Sequence, residues 1–104
     1  MEMAGAEGVT MRVLIGPDDG APTFVMRMFE IAPGGQTPMH AHGWEHEVFV
    51  LDGEGEVASP EQRLPVRARM AVFVPAGETH HFVNTGAERL RFLCLIPAEE
   101  KACQ

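Results

Sequence analysis

The sequence predicts an all-β fold, either a sandwich or a barrel, on the basis of three observations. Short apolar runs alternate with clusters of Gly, Pro, Asp and Asn along most of the chain. One strand plus one turn takes about ten residues, a spacing that is typical of all-β sandwiches and barrels. Helix-forming composition is confined to the tail 98–104, which follows a proline. We expect a turn or two of helix or a frayed end there.

The strands are expected in chain order between residues that favour turns. They lie near 11–15, 23–31, 37–41, 45–51, 55–59, 62–65, 70–74, 80–84 and 90–95. The intervening turns include 16–20, 33–35, 52–55, 75–78 and 85–87. Glycine supplies a positive φ in these segments, proline fixes φ, and Asp or Asn caps the turn.

Length and composition restrict the classes of function. A chain of 104 residues with 45% hydrophobic residues is expected to form one domain, 1–104, with a barrel core at about 10–97. The formal net charge of −7 disfavours binding to nucleic acid and to anionic membrane surfaces. No apolar run is long enough for a membrane helix, and the N-terminus does not resemble a signal peptide. We therefore expect a cytoplasmic protein.

Several residues within the apolar runs have ordinary structural explanations. Cys94 and Cys103 form neither a CxxC pair nor a disulfide framework, and Cys94 is expected to be a small buried hydrophobe. Arg27 and Arg91 fall within predicted strands, where an outward, solvated side chain is the usual arrangement. An inward arginine could instead bind a substrate carboxylate. The larger apolar side chains are expected in the core or lining a pocket; they are Met26, Met28, Phe49, Phe73, Phe82 and Phe92.

Four of the five histidines fit the pattern of one metal site, His40-x-His42-x3-His46 followed much later by His80. Imidazole nitrogen is a versatile ligand for Zn, Cu, Fe and Ni. Because side chains alternate along a strand, His40 and His42 are expected on one face, close enough to hold one ion. Each histidine taken singly is better explained as a surface or core residue. The joint pattern favours a metal site.

Counting along the strands does not decide every orientation. Gly43 interrupts the alternation, so either His46 or Glu47 can point inward, and apolar residues follow in both registers. The adjacent pair His80 and His81 must take opposite faces of a strand. Only one of those two histidines is therefore expected to be a ligand.

The first histidine segment resembles the first motif of the cupin superfamily, G-x5-H-x-H-x3,4-E-x6-G. Gly34, His40 and His42 stand at the matching positions, and Gly53 and Gly55 bracket the closing glycine.

The second segment resembles the second cupin motif, G-x5-P-x-G-x2-H-x3-N. Pro75, Gly77, His80 and Asn84 match it, whereas Arg69 stands at the position of its opening glycine. Together the two motifs cover about half of the chain, and the flanking strands fit the rest of a small barrel.

The resemblance implies a single-domain cupin, a double-stranded β-helix or jelly-roll barrel. The stretch HAHGWEHEVFVLDGEG with the closing FLCLIP is similar to small bacterial cupins that have four histidine ligands. On that resemblance His40, His42, His46 and His80 bind a divalent transition metal, Mn, Fe, Ni or Zn, in the barrel mouth, with one or two coordination positions open. The three-residue spacing after His42 favours His46 as the third ligand, and the four-residue spacing leaves Glu47 in reserve.

The resemblance also bears on function and assembly. A metal with open positions predicts that the protein acts on or binds a small oxygen-rich organic molecule. If it is an enzyme, a dioxygenase, isomerase or decarboxylase is expected; the alternatives are a non-catalytic sugar or carboxylate sensor and a barrel in which the metal is purely structural. Small cupins form dimers through their sheets, often by lending the N-terminal strand, so a homodimer is expected, with the apolar strand 23–31 as a candidate for the contact.

Overall fold

A computed structural model describes residues 7–39, 41 and 43–98. Eight strands make up the sheet: β1 Glu7–Ile15, β2 Phe24–Gln36, β3 His46–Asp52, β4 Glu54–Ala58, β5 Arg63–Arg67, β6 Ala71–Val74, β7 His81–Val83 and β8 Leu90–Pro97. A 3-10 turn, Pro17–Asp19, lies between β1 and β2. The described residues contain no α-helix, so the all-β prediction is confirmed.

The long strand β2 joins the two parts of the sheet and makes it curl. The strand order is β5-β4-β7-β2-β8-β3-β6, with β1 also paired to β2, and all pairings are antiparallel. Most of β2 pairs with β1 on one side and β8 on the other, while Gln36 at its end pairs with Val83 of β7. The concave interior holds the core, made of Val25, Phe29, Ile31, Val48, Val50, Val66, Phe82, Leu90, Phe92, Cys94 and Ile96.

Strict alternation on β3 and β8 decides the register that counting left open. On β3 the burial pattern places His46 in the interior, whereas Glu47 and Phe49 are exposed. On β8 every second residue, from Leu90 through Cys94 to the end, is buried. Since successive strand residues face opposite sides, the interior of the barrel receives the histidine and not the glutamate.

The strand expected at 37–41 is wrong for residues 37–39 and 41, which are not in a strand, and His40 lies outside the described residues. The turn expected at 33–35 is also wrong, because β2 continues through it to Gln36. The register of the β1–β2 pair shifts between Glu7 and Val9. The extra residues of β2 at this point form a bulge, in which Gly34 has φ 81°. Thr37 then anchors the following segment, since its hydroxyl oxygen accepts a 2.9 Å hydrogen bond from the Phe82 amide.

The two glycines that bracket the end of the first motif are needed for different reasons. Gly53 has φ 89°, a left-handed conformation that side chains disfavour. Gly55 lies against β7, where a β-carbon would collide with the carbonyl oxygen of Val83. Both therefore allow the β3–β4 connection to approach the neighbouring backbone closely.

Two aromatic residues expected in the core lie outside it. Phe49 is 41% exposed and Phe73 is 59% exposed. The alternation that turns His46 inward turns Phe49 outward, and Phe73 is its neighbour on β6 through the pairing of Glu47 with Phe73. Phe82 and Phe92 are buried as expected.

No helix within the described ranges has the length and apolar character to cross a membrane. Of the tail expected at 98–104, only Ala98 is among the described residues, so the expectation of a terminal helical turn lies outside them, as does Cys103.

Candidate functional site

Two of the four predicted metal ligands meet in the interior of the barrel. His46 begins β3, and His80 forms a bridge just before β7. Their ring centroids are 5.2 Å apart, with an angle of 70° between the ring planes. His46 is 6% exposed. Folding therefore brings together two imidazoles that are distant in sequence.

The backbone fixes the tautomer of His80. Its Nδ1 lies 2.9 Å from the carbonyl oxygen of Glu78. A carbonyl only accepts, so Nδ1–H donates this bond and Nε2 carries the free lone pair. The ring also stands edge-on to Phe82, with the centroids 6.1 Å apart. His80 thus has the orientation and the protonation of a ligand that coordinates through Nε2.

His46 is oriented by a sulfur atom. Its Nδ1 lies 3.2 Å from Sγ of Cys94. Burial raises the pKa of the Cys94 thiol, against a smaller lowering by the charge of Arg27, so the thiol is neutral at pH 7. Arg27 donates a 3.3 Å hydrogen bond from Nη2 to the same sulfur. A thiol both donates and accepts, so the tautomer of His46 sets the direction of this contact. In the tautomer whose Nδ1–H donates to Sγ, Nε2 is the nitrogen that can coordinate a metal, as in His80.

Cys94 was expected only as a small buried hydrophobe. It is 3% exposed, which confirms its burial. Its contact with His46 was not predicted, because the two residues lie on strands whose adjacency the sequence does not give. The alternation of side chains along β8 was the one sequence signal for this contact, because Cys94 lies on the same face of the strand as Phe92 and Ile96.

His40 and His42 lie outside the described residues. Across residues 7–39, 41 and 43–98, no three His, Cys, Asp or Glu side chains are grouped so that they could hold a metal ion. The four-histidine site therefore stays a prediction. The imidazoles of His46 and His80 fit a divalent transition-metal ion in chemistry, because imidazole nitrogen is a common ligand of such ions.

The carboxylate side chains near the motifs do not orient His46 or His80. The side chains of Glu45 and Glu47 are exposed, and Glu78 contributes its backbone oxygen. His81 faces away from His80, and its Nδ1 lies 3.1 Å from the carbonyl oxygen of Thr37. A backbone carbonyl contacts Nδ1 of His80, and a thiol contacts Nδ1 of His46.

Asn84, the last residue of the second motif, has a structural role. It is 1% exposed. Its Nδ2 donates 2.8 Å bonds to the carbonyl oxygens of Ile31 and Glu88, and its Oδ1 accepts a 2.9 Å bond from the Gly86 amide. These bonds close the turn before β8 and tie it to β2.

Of the two strand arginines, only Arg91 points outward as expected. It forms ion pairs with Asp52 and Glu30 on the outer surface. Arg27 points into the barrel, contrary to the expectation of a solvated side chain. Its Cζ lies 5.0 Å from the centroid of the Phe29 ring, and its Nη2 reaches Cys94.

Comparisons with known proteins agree with this architecture. The Cupin_2 family, a cupin domain, matches residues 27–96. A 1-methylthio-D-xylulose 5-phosphate methylsulfurylase of Rhodospirillum rubrum is 32% identical over 71% of this chain and 47% of its own length. An oxalate-binding protein of Thermotoga maritima is 34% identical over 64% of this chain and 56% of its own. The chain thus spans about half the length of these curated relatives.

Solved structures show the same likeness. The polyketide cyclase RemF from Streptomyces resistomycificus superposes with a TM-score of 0.89 at 40% identity, covering 95% of this chain and 71% of that one. The region matched by the Cupin_2 family, residues 27–96, contains β3 to β7 together with most of β2 and β8. It also includes both histidines that meet in the interior. The chain belongs to the cupin family.

Proposed function

We propose that this cupin holds a divalent transition metal through His40, His42, His46 and His80 and binds a small oxygen-rich organic molecule at an open coordination position. The observation that carries the proposal is the meeting of His46 and His80 at 5.2 Å, each with Nδ1 engaged by the protein. A backbone carbonyl on Nδ1, as His80 has, is typical of ligating histidines.

A bound divalent ion supplies Lewis acidity toward a coordinated oxygen, and four neutral imidazoles would leave its charge undiminished. The protein side chains provide the surroundings. Phe82 packs against His80. Next to His46 lie two buried valines, Val48 two residues further along β3 and Val74 opposite it on β6. Apolar surroundings of this kind strengthen polar contacts made inside them.

The space beside His80 suits a small ligand. An open pocket of about 160 Å³ reaches this histidine between the β4–β5 hairpin and β6. Its lining includes Val57, Leu64, Val72 and Glu78. A volume of this size favours a molecule of a few heavy atoms over a drug-sized one.

A binding module without turnover is the second candidate. One relative is named an oxalate-binding protein. The described acid–base side chains near the site do not suggest a proton relay, since Glu45 and Glu47 are exposed and His81 is engaged with Thr37. If the protein is an enzyme, the metal chemistry of a dioxygenase, isomerase or decarboxylase remains our proposal.

The adjacent residues His80 and His81 provide a test of the metal proposal with a matched control. Metal-free protein titrated with Mn²⁺ should remove about one ion per chain from solution, followed by the electron paramagnetic resonance signal of free Mn²⁺. His81→Ala should bind alike, and His80→Ala should bind weakly. Oxalate added to the loaded wild type should change the signal of the bound ion. Binding unaffected by His80→Ala, or a bound-ion signal insensitive to small oxygen ligands, would count against the proposal.

We also propose that the chain forms a homodimer through its outer apolar face, defined by Phe49, Phe73, Leu93 and Leu95. These side chains are neighbours on β3, β6 and β8, and the two phenylalanines are largely exposed. A contiguous exposed apolar patch is typical of an association surface. Phe73→Glu should therefore yield monomers in sedimentation velocity, whereas Leu64→Glu, at a 50% exposed site on β5, should not. A monomeric wild type would contradict the proposal.

A further inference from the structure

We infer that Arg27 forms an anion subsite inside the barrel and that the natural ligand carries a carboxylate. The inference rests on the proposed metal site and specifies its ligand: a carboxylate rather than a neutral sugar. It starts from one unexpected feature, a guanidinium on the interior face of β2.

The strand register explains why Arg27 points inward. It stands between Val25 and Phe29 on the buried face of β2, and it is paired with Cys94 of β8, whose side chain is also buried. The guanidinium lies over the Phe29 ring, with Cζ 5.0 Å from the ring centroid. This cation–π contact and the bond to Cys94 hold the side chain in place.

The protein does not neutralise this charge with a carboxylate among the described residues. The ion pairs found there join Glu30, Asp52 and Glu56 to other arginines. Nε of Arg27 is buried and, within the same part of the chain, has no hydrogen-bond partner. Among the described residues, its side-chain contacts are the Cys94 sulfur and the Phe29 ring. Arg27 as a whole is half-buried. Removing a cation from water without a counter-ion is costly, so an anion entering the barrel would gain from meeting it.

Arg27 is also close to the proposed metal site. Its Nη2 and the Nδ1 of His46 lie 3.3 Å and 3.2 Å from the same sulfur atom of Cys94. One side chain therefore separates the guanidinium from a predicted metal ligand. The planar guanidinium matches the two oxygens of a carboxylate, and its charge adds to that of a divalent ion. The interior is thus suited to an anion.

Calorimetric titration with oxalate as the probe tests the inference. Mn²⁺-loaded wild type should bind oxalate at least about tenfold more tightly than loaded Arg27→Gln, because a hydrogen bond to a charged group is worth about that factor or more. Arg12→Gln is the matched control, since Arg12 is an exposed residue of the adjoining strand β1. It should bind like wild type. Ethylene glycol, a neutral two-oxygen probe, should not distinguish the three proteins. Equal oxalate affinity in wild type and Arg27→Gln would overturn the inference.

Metal content separates failure of this inference from failure of the metal proposal. If all variants hold metal, the oxalate affinities judge Arg27 alone. If wild type takes up no metal, the metal proposal fails, and the same titration on metal-free protein still judges the subsite: dependence on Arg27 supports it and independence overturns it. If Arg27→Gln does not fold, Arg27→Lys replaces it. The lysine keeps the charge but loses the planar fork, so weaker oxalate binding than wild type is expected, and equal affinity would overturn the inference.

Discussion

Replacing Phe92 by alanine is expected to lower the free energy of unfolding by about 3–5 kcal/mol, the usual cost of truncating a large buried aromatic side chain. Phe92 is 2% exposed. Its ring is stacked on Phe29 with centroids 5.2 Å apart and tilted against Phe82 at 4.6 Å. The substitution therefore removes two aromatic contacts and leaves a cavity between the two parts of the curled sheet.

Urea unfolding followed by circular dichroism measures this effect, and Leu64→Ala is the control. Leu64 is 50% exposed on β5, so its truncation should change the free energy of unfolding by less than about 0.5 kcal/mol. A loss below about 1 kcal/mol for Phe92→Ala would mean that the described core is not the one that stabilises the protein.

The same aromatic contacts extend to the candidate site. Phe82 lies between Phe92 and His80, and His80 in turn meets His46. Truncating Phe92 should therefore loosen the position of His80 as well as destabilise the barrel. Core packing and ligand placement are linked through this row of rings.

The sequence was most informative about the fold where an apolar run is bounded by clear turn residues. β3 and β8 lie within two residues of their predicted bounds, because each is a short apolar run that ends at a glycine or a proline. It failed at 33–35, since a proline and two glycines favour a turn locally and the pairing of β1 with β2 keeps them in the strand as a bulge. That pairing is a long-range interaction, invisible to a local pattern.

The site was predictable in part for the same reason. Residue type and spacing indicated His46 and His80, but the interruption at Gly43 left the orientation of His46 undecided until β3 was seen to pair with β8. The sequence predicts only burial for Cys94 and favours an outward Arg27 over an inward one, because Cys94 contacts both His46 and Arg27 across strands. Such contacts depend on strand order, which the sequence alone does not give.

His46→Ala is expected to weaken metal binding by more than about 100-fold, since even groups that only orient a ligand are worth about 10–100-fold. His46 is buried beside His80, and its Nε2 is the atom assigned to the metal. Glu47→Ala is the control, since Glu47 faces outward in the next position. It should retain the metal affinity of wild type. This pair of variants decides between the two registers that the motif spacing allowed.

The central claim is that histidines, His46 among them, and not the neighbouring glutamate, hold a metal in this cupin. The most direct test is metal content by plasma mass spectrometry in wild type, His46→Ala and Glu47→Ala, each purified without a metal-binding tag. We predict about one transition-metal ion per chain in wild type and Glu47→Ala, and little in His46→Ala. Metal kept by His46→Ala and lost by Glu47→Ala, or no metal in any of the three after reconstitution, would contradict the account.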